Sequence, residues 1–123
     1  MRKTILAATA ILLVATPILA ADDIMANFYG NTVVVTGGLV DSYTHFRPDH
    51  TFDSSAIVMG MKMTRKGTWS IDDKGQLCRL FDNPPPGTPN PFCTPAESHK
   101  LGDSWIMTVN GKTRTVFLKP GIQ

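Results

Sequence analysis

Ser104-Trp105-Ile106-Met107-Thr108-Val109, then Asn110-Gly111, then Thr113-Arg114-Thr115-Val116-Phe117-Leu118, is the stretch that decides the fold class. Both arms are rich in β-branched and aromatic residues, which suit a pleated surface. The pair between them accepts positive φ at both central positions of a type I′ turn, the turn whose twist matches two antiparallel strands. A β-hairpin follows. Alternate residues of a strand share a face, so Trp105, Met107 and Val109 are expected to point inward together, as are Trp69 and Ile71 earlier in the chain.

The same punctuation recurs outward from this hairpin. Thr32–Thr36 is β-branched and ends at Gly37-Gly38. Leu39–Phe46 is a second extended run, and Arg47-Pro48-Asp49-His50 a turn, with Pro fixing φ and Asp able to bond its own backbone. Thr51-Phe52-Asp53 starts a return strand, and Ile57–Thr64 is read as a fourth. Arg65-Lys66-Gly67 is expected to turn the chain into Thr68–Ile71, and Asp72-Asp73-Lys74-Gly75 to turn it into Leu77–Phe81. The stretch Asn83–Pro91 carries five prolines and is excluded from a central strand or helix. Residues Asp22–Tyr29 suggest one short helical turn capped by Asp22 or Asp23 and ended by Gly30-Asn31. Extended runs broken by turn residues about every eight to twelve positions make an all-β pattern. The expected fold is a small antiparallel up-and-down barrel of about eight strands, with a β-sandwich as the alternative.

The first residues carry a different message. Met1-Arg2-Lys3, an apolar run from Ile5 to Val14, Pro17 and the small-residue end Leu19-Ala20-Ala21 form the three parts of a secretory signal peptide. A run of ten residues is too short for a spanning helix of about twenty. The chain therefore divides into a signal, 1–20, and one β-domain, 21–123, with a periplasmic or secreted location expected. Export makes a disulfide the default for the two cysteines, Cys78 and Cys93, and the loop they enclose makes the bridge worth about 3 kcal/mol. Loss of Arg2 and Lys3 reduces twelve basic residues to ten, which balance the ten acidic ones. Neutrality argues against a nucleic-acid partner, since phosphate binding needs a basic field. No basic amphipathic helix points to a membrane surface, and no stable insertion after signal removal is expected.

Few residues suggest chemistry. Met59, Met61 and Met63, read as alternate positions of one strand, would form a soft apolar wall of a core or a ligand cavity. Thioethers also suit copper(I), and His45 or His50 with Met61, Met63 and a nearby Trp69 would make such a site. Tyr43, His45, Arg47, Asp49 and His50 form a polar cluster that reads first as an exposed hairpin tip. His99, near Glu97, reads as surface. No serine lies in a Gly-x-Ser-x-Gly elbow, and Gly37-Gly38 lacks the lysine of a phosphate loop, so no catalytic set can be named.

The string Tyr43-Thr44-His45-Phe46-Arg47-Pro48-Asp49-His50-Thr51-Phe52, followed by Gly67-Thr68-Trp69 and Gly75-Gln76-Leu77-Cys78, resembles a pattern in small exported bacterial β-proteins that are lipocalin-like in outline. His50 stands where that pattern carries Gly. The resemblance implies a fold and a compartment and carries over no active-site residue. The expected function is non-enzymatic binding of a small apolar molecule by Met59, Met61, Met63, Trp69 and Tyr43, with no cofactor. The alternatives are contact with an envelope protein, such as inhibition of a cell-wall hydrolase through the proline loop, and copper(I) binding.

Overall fold

The computed structural model describes residues 21–123, and the expected signal peptide lies outside the described residues. A five-residue helix, α1 (Ala21–Met25), precedes eight strands: β1 (Thr32–Thr36), β2 (Ser42–Phe46), β3 (Thr51–Val58), β4 (Met61–Ile71), β5 (Gln76–Phe81), β6 (Phe92–Pro95), β7 (Ser104–Val109) and β8 (Lys112–Lys119). All pair antiparallel in one curled sheet ordered β6-β5-β4-β3-β2-β1-β8-β7. That is the cyclic order of an up-and-down barrel with one ladder missing. β1 pairs with β8, as barrel closure requires, but β6 and β7 are the two edges. The expected barrel is therefore a half-barrel with a seam, and the sandwich alternative does not form, because the eight strands share one sheet. Both edges are short, and Pro91 and Pro95 blunt β6 against pairing with another chain.

The strand count agrees with the sequence reading, but the partition does not. Ile57–Thr64 is not one strand. A two-residue turn at Met59-Gly60 (φ +51° and +79°) splits it, and Val58 pairs with Met61. Nor does Arg65-Lys66-Gly67 turn the chain, since β4 runs unbroken through it. Gly67 is there because two neighbours need its space: a Cβ would stand 2.0 Å from the Leu80 carbonyl oxygen and 2.9 Å from the Phe52 ring. The extra strand is β6, placed where only the loop bearing Cys93 was expected. Cys78 and Cys93 are direct cross-strand partners and form the disulfide, which staples β6 to β5. α1 spans Asp22 and Asp23, and Gly30 (φ +74°) ends the following turns as expected.

The Asn110-Gly111 hairpin forms as read, with φ of +52° and +74°. His50 adopts φ +68°, the left-handed conformation that Gly would take there, and its ring stacks on Trp69 at 4.1 Å. The Trp69 carbonyl accepts a hydrogen bond from His50 Nδ1 at 3.1 Å, and Trp69 Nε1 donates to the Arg47 carbonyl at 2.9 Å. The indole thus sits in the core with its polar atom satisfied, as burial demands.

The core lies on the inner face. Phe46, Phe52, Trp69, Phe81, Val116 and Leu118 pack there with Met25 and Phe28, which close one end from the N-terminal segment. Burial of each large side chain contributes about 1.5–3 kcal/mol. Outside, the C-terminal tail folds over β1: the Thr32 hydroxyl donates to the Gly121 carbonyl at 2.8 Å and accepts from the Gln123 amide at 2.9 Å. Antiparallel alternation puts α1, the turns at 47–50 and 72–75 and the 96–103 loop at one end (the helix end). It puts the 37–41 and 82–91 loops and the Met59-Gly60 and Asn110-Gly111 turns at the other, the hairpin end.

Candidate functional site

Inner-face packing is dense beneath β2–β5 and loosens toward the seam. There a cavity of about 210 Å³ lies among Val33, Phe46, Leu77, Trp105, Met107 and Val116, under Met25 and Phe28. A second space of about 320 Å³ adjoins it toward the hairpin end, bounded by Ser42, Phe92, Val109, Lys112 and Arg114. Val35, Arg79 and Met107 line both. The first volume exceeds the about 150 Å³ of an engineered apolar cavity that takes up benzene.

Arg79 dominates the electrostatics. It lies on β5 between the inward residues Leu77 and Phe81, opposite Trp69 on β4 and Phe92 on β6. Its guanidinium carbon stands 5.2 Å from the Phe92 ring centroid, 5.4 Å from that of Phe81 and 5.9 Å from that of Phe52. Three aromatic faces give a cation partial compensation for lost water. Arg79 keeps some accessible surface because it faces the two cavities. Even so, burial pushes its pKa down to about 10, the mark of a charged form that is short of hydration. Among the described residues no carboxylate lies within ion-pair distance of it. Lys112 and Arg114, on the same face of β8, add two cations to the second space, which no acidic side chain lines.

The seam is bridged at the helix end by the β6–β7 connection. The Asn27 side-chain amide donates to the His99 carbonyl at 2.8 Å, and Gly102 and Asp103 bond the backbone of Leu118. His99 corrects its sequence reading as surface. Its ring is mostly covered, stacks on Trp105 at 3.4 Å with a 2° interplanar angle, and lies 3.7 Å from Glu97 and 3.8 Å from Asp103.

The residues singled out from sequence fall elsewhere. Met59 (97% exposed) is a turn residue, and Met61 and Met63 are exposed on the projecting tip of the β3–β4 hairpin. None of the three lines either space. Trp69 is buried core beside, not within, the cavity wall. Tyr43 is half-buried, paired with Val34 and Ser55, and does not line the cavity. The copper(I) set is not brought together: His45 lies on the outer face and Met61 and Met63 on the other face, nearer the hairpin end.

The polar cluster is one of turn and outer-face contacts. Asp53 accepts from His45 Nδ1 at 2.8 Å and pairs through its other oxygen with Arg47, while His45 Nε2 is buried without a hydrogen-bond partner. Asp49 accepts from the Thr51 amide at 3.0 Å and from the Thr51 hydroxyl at 2.6 Å. Those bonds hold its carboxyl below the usual carboxylate range. Asp72 stands near Cys78 and Cys93 in the one metal-spaced His/Cys/Asp/Glu group among the described residues, but its two sulfurs are joined to each other.

The sequence reading passed over Arg79. Its signal was present: in Leu77-Cys78-Arg79-Leu80-Phe81, two apolar residues flank it at the strand period, so it shares their buried face. Comparison with protein-family models, with curated proteins and with solved structures found no match.

Proposed function

We propose that this protein is a non-enzymatic binder of a small, mainly apolar molecule, held inside the half-barrel between β1, β7 and β8 on one side and β5 and β6 on the other. The observation that carries the reading is the cavity of about 210 Å³ walled by Val33, Phe46, Trp105, Met107 and Val116. Well-packed interiors rarely leave voids larger than a water molecule, and ligand sites are concave, largely apolar and few per protein. The lipocalin-like resemblance and an exported location belong to the same proposal, and the disulfide is compatible with an oxidising compartment. The ligand set moves from the methionine hairpin to the seam.

Titration with the neutral probe N-phenyl-1-naphthylamine tests the reading. Probe emission is expected to rise to saturation as Trp105 emission falls, and the Trp105 response is expected to vanish in Trp105→Phe while Trp69 still fluoresces. A flat response to this probe contradicts the proposal.

A second reading has its own observation. At the hairpin end Leu39, Ile57, Met59, Met61 and Met63 are all exposed, with Leu39 and Met59 almost fully so. Large exposed apolar side chains gathered at one end of a fold point to contact with another macromolecule, and the proline loop lies at that end. Inhibition of lysozyme by the wild type but not by Leu39→Ser/Met59→Ser supports this reading, and no inhibition counts against it.

A further inference from the structure

We infer that the ligand is an amphipathic anion, a short-chain carboxylate or its like, with its apolar tail in the cavity at the helix end and its charged head on Arg79. The inference rests on the cavity-binding reading above and names the class of molecule.

Three observations point the same way. First, Arg79 stands at the junction of the two spaces, so one molecule can touch both an apolar wall and a guanidinium. Second, that guanidinium has aromatic rings around it and no carboxylate within ion-pair distance among the described residues. A cation drawn out of water without a counter-charge is costly, and buried charges in proteins are as a rule paired. An arginine at an inward strand position that an apolar residue would fill at lower cost implies a partner outside the chain. Third, the polarity of the interior is graded. The helix-end cavity is walled mainly by apolar residues, Val33, Phe46, Trp105 and Val116 among them, with Glu97 and His99 also on its lining, whereas the hairpin-end space gathers Arg79, Lys112 and Arg114 without an acidic residue. A head group with a single negative charge is met first by Lys112 and Arg114 near the rim and then by Arg79 deeper in. The planar fork of arginine suits two-point recognition of a carboxylate.

The lowered pKa of Arg79 agrees with this arrangement, because an anion at the junction would restore what burial removes. Lys112 and Arg114 line the same space without an ion pair among the described residues, and Glu97, the carboxylate on the first cavity's lining, lies against His99 and not within ion-pair distance of Arg79.

The test compares three ligands with one tail: octanoate, 1-octanol and octylammonium, titrated by calorimetry. Wild type is expected to bind octanoate at least about tenfold more tightly than octanol, the ratio a charge-assisted hydrogen bond supplies, and octylammonium least. Arg79→Met is expected to keep octanol affinity and lose the preference for octanoate. Lys112→Gln/Arg114→Gln, at the rim, is expected to reduce octanoate affinity by a smaller factor and to flatten its salt dependence. Equal binding of octanoate and octanol by wild type overturns this inference while leaving the apolar-binder reading intact. Binding of none of the three overturns both. The ligand series needs no variant, so a poorly folded Arg79→Met would not shield the proposal.

Discussion

The two halves of the interior differ in what their residues are for. Beneath β2–β5, Phe46, Phe52, Trp69 and Phe81 interlock through ring contacts at 5.1–6.4 Å, and the one buried indole N–H there has its acceptor. Toward the seam, the same sheet leaves two spaces, an unpaired guanidinium and an edge on each side. A close-packed half supplies stability; a half that forgoes packing and keeps a cation without a counter-charge gives up stability for something else. Changes in the first half should therefore lower stability. Changes in the second should alter binding and leave stability level or higher.

The largest expected effect is in the packed half. Trp69→Ala removes a side chain that touches Phe46, Tyr29 and the His50 ring, and is expected to cost about 3–5 kcal/mol in denaturant unfolding. A loss below about 1 kcal/mol would show that this half is not the keystone. Gly67→Ala comes next. Its Cβ meets backbone at 2.0 Å, which no rotamer change relieves. The expected loss is at or above the top of the about 1–3 kcal/mol typical of overpacking, read from the same unfolding curves.

Arg79→Met sharpens the contrast from the other side. Replacing an unpaired, dehydrated cation by an apolar chain of similar length is expected to leave stability level or raise it by about 1 kcal/mol. The sign follows from the pKa. A basic group whose folded value falls to about 10 destabilises the fold at every pH below that value. Loss of stability on this substitution would make Arg79 a structural residue held by its three phenyl rings.

The smallest effect belongs to a turn outside both halves. Thr51 holds the Asp49 carboxyl below its ordinary value of 3.8. For a lowered carboxylate the contribution is present above the ordinary value and is lost as pH falls through the folded one. Asp49→Ala is therefore expected to lower the melting temperature slightly at pH 7. The gap should narrow as the pH falls below 3.8.

Two turns with the same backbone show how far sequence carries. Asn110-Gly111 and Met59-Gly60 both place two successive residues at positive φ. Asn tolerates that conformation and advertises it, so the first hairpin was legible; Met does not, and Met-Gly-Met read as continuous strand with its side chains in register. That one misreading also misplaced the three methionines, because splitting the strand put Met59 into the turn and Met61 and Met63 on an exposed tip. Gly67 misled in the opposite direction. A glycine inside a strand marks either a break or a close approach, and only the neighbouring Phe52 ring and Leu80 carbonyl decide which. The all-β class, the eight strands, the disulfide and the inward set Trp105, Met107 and Val109 were legible because period-two alternation and turn chemistry are local. The seam was not, since whether β6 and β7 pair is a long-range outcome that no local pattern records.

Methionine methyl NMR tests the central claim most directly, because the described methionines divide between the two candidate sites. Met25 and Met107 line the cavity, while Met59, Met61 and Met63 sit on the exposed hairpin. Titrating octanoate into the methyl-labelled protein is expected to shift the Met25 and Met107 resonances to saturation and to leave the other three unchanged. Shifts confined to Met59, Met61 and Met63, or no shifts at all, would contradict the account.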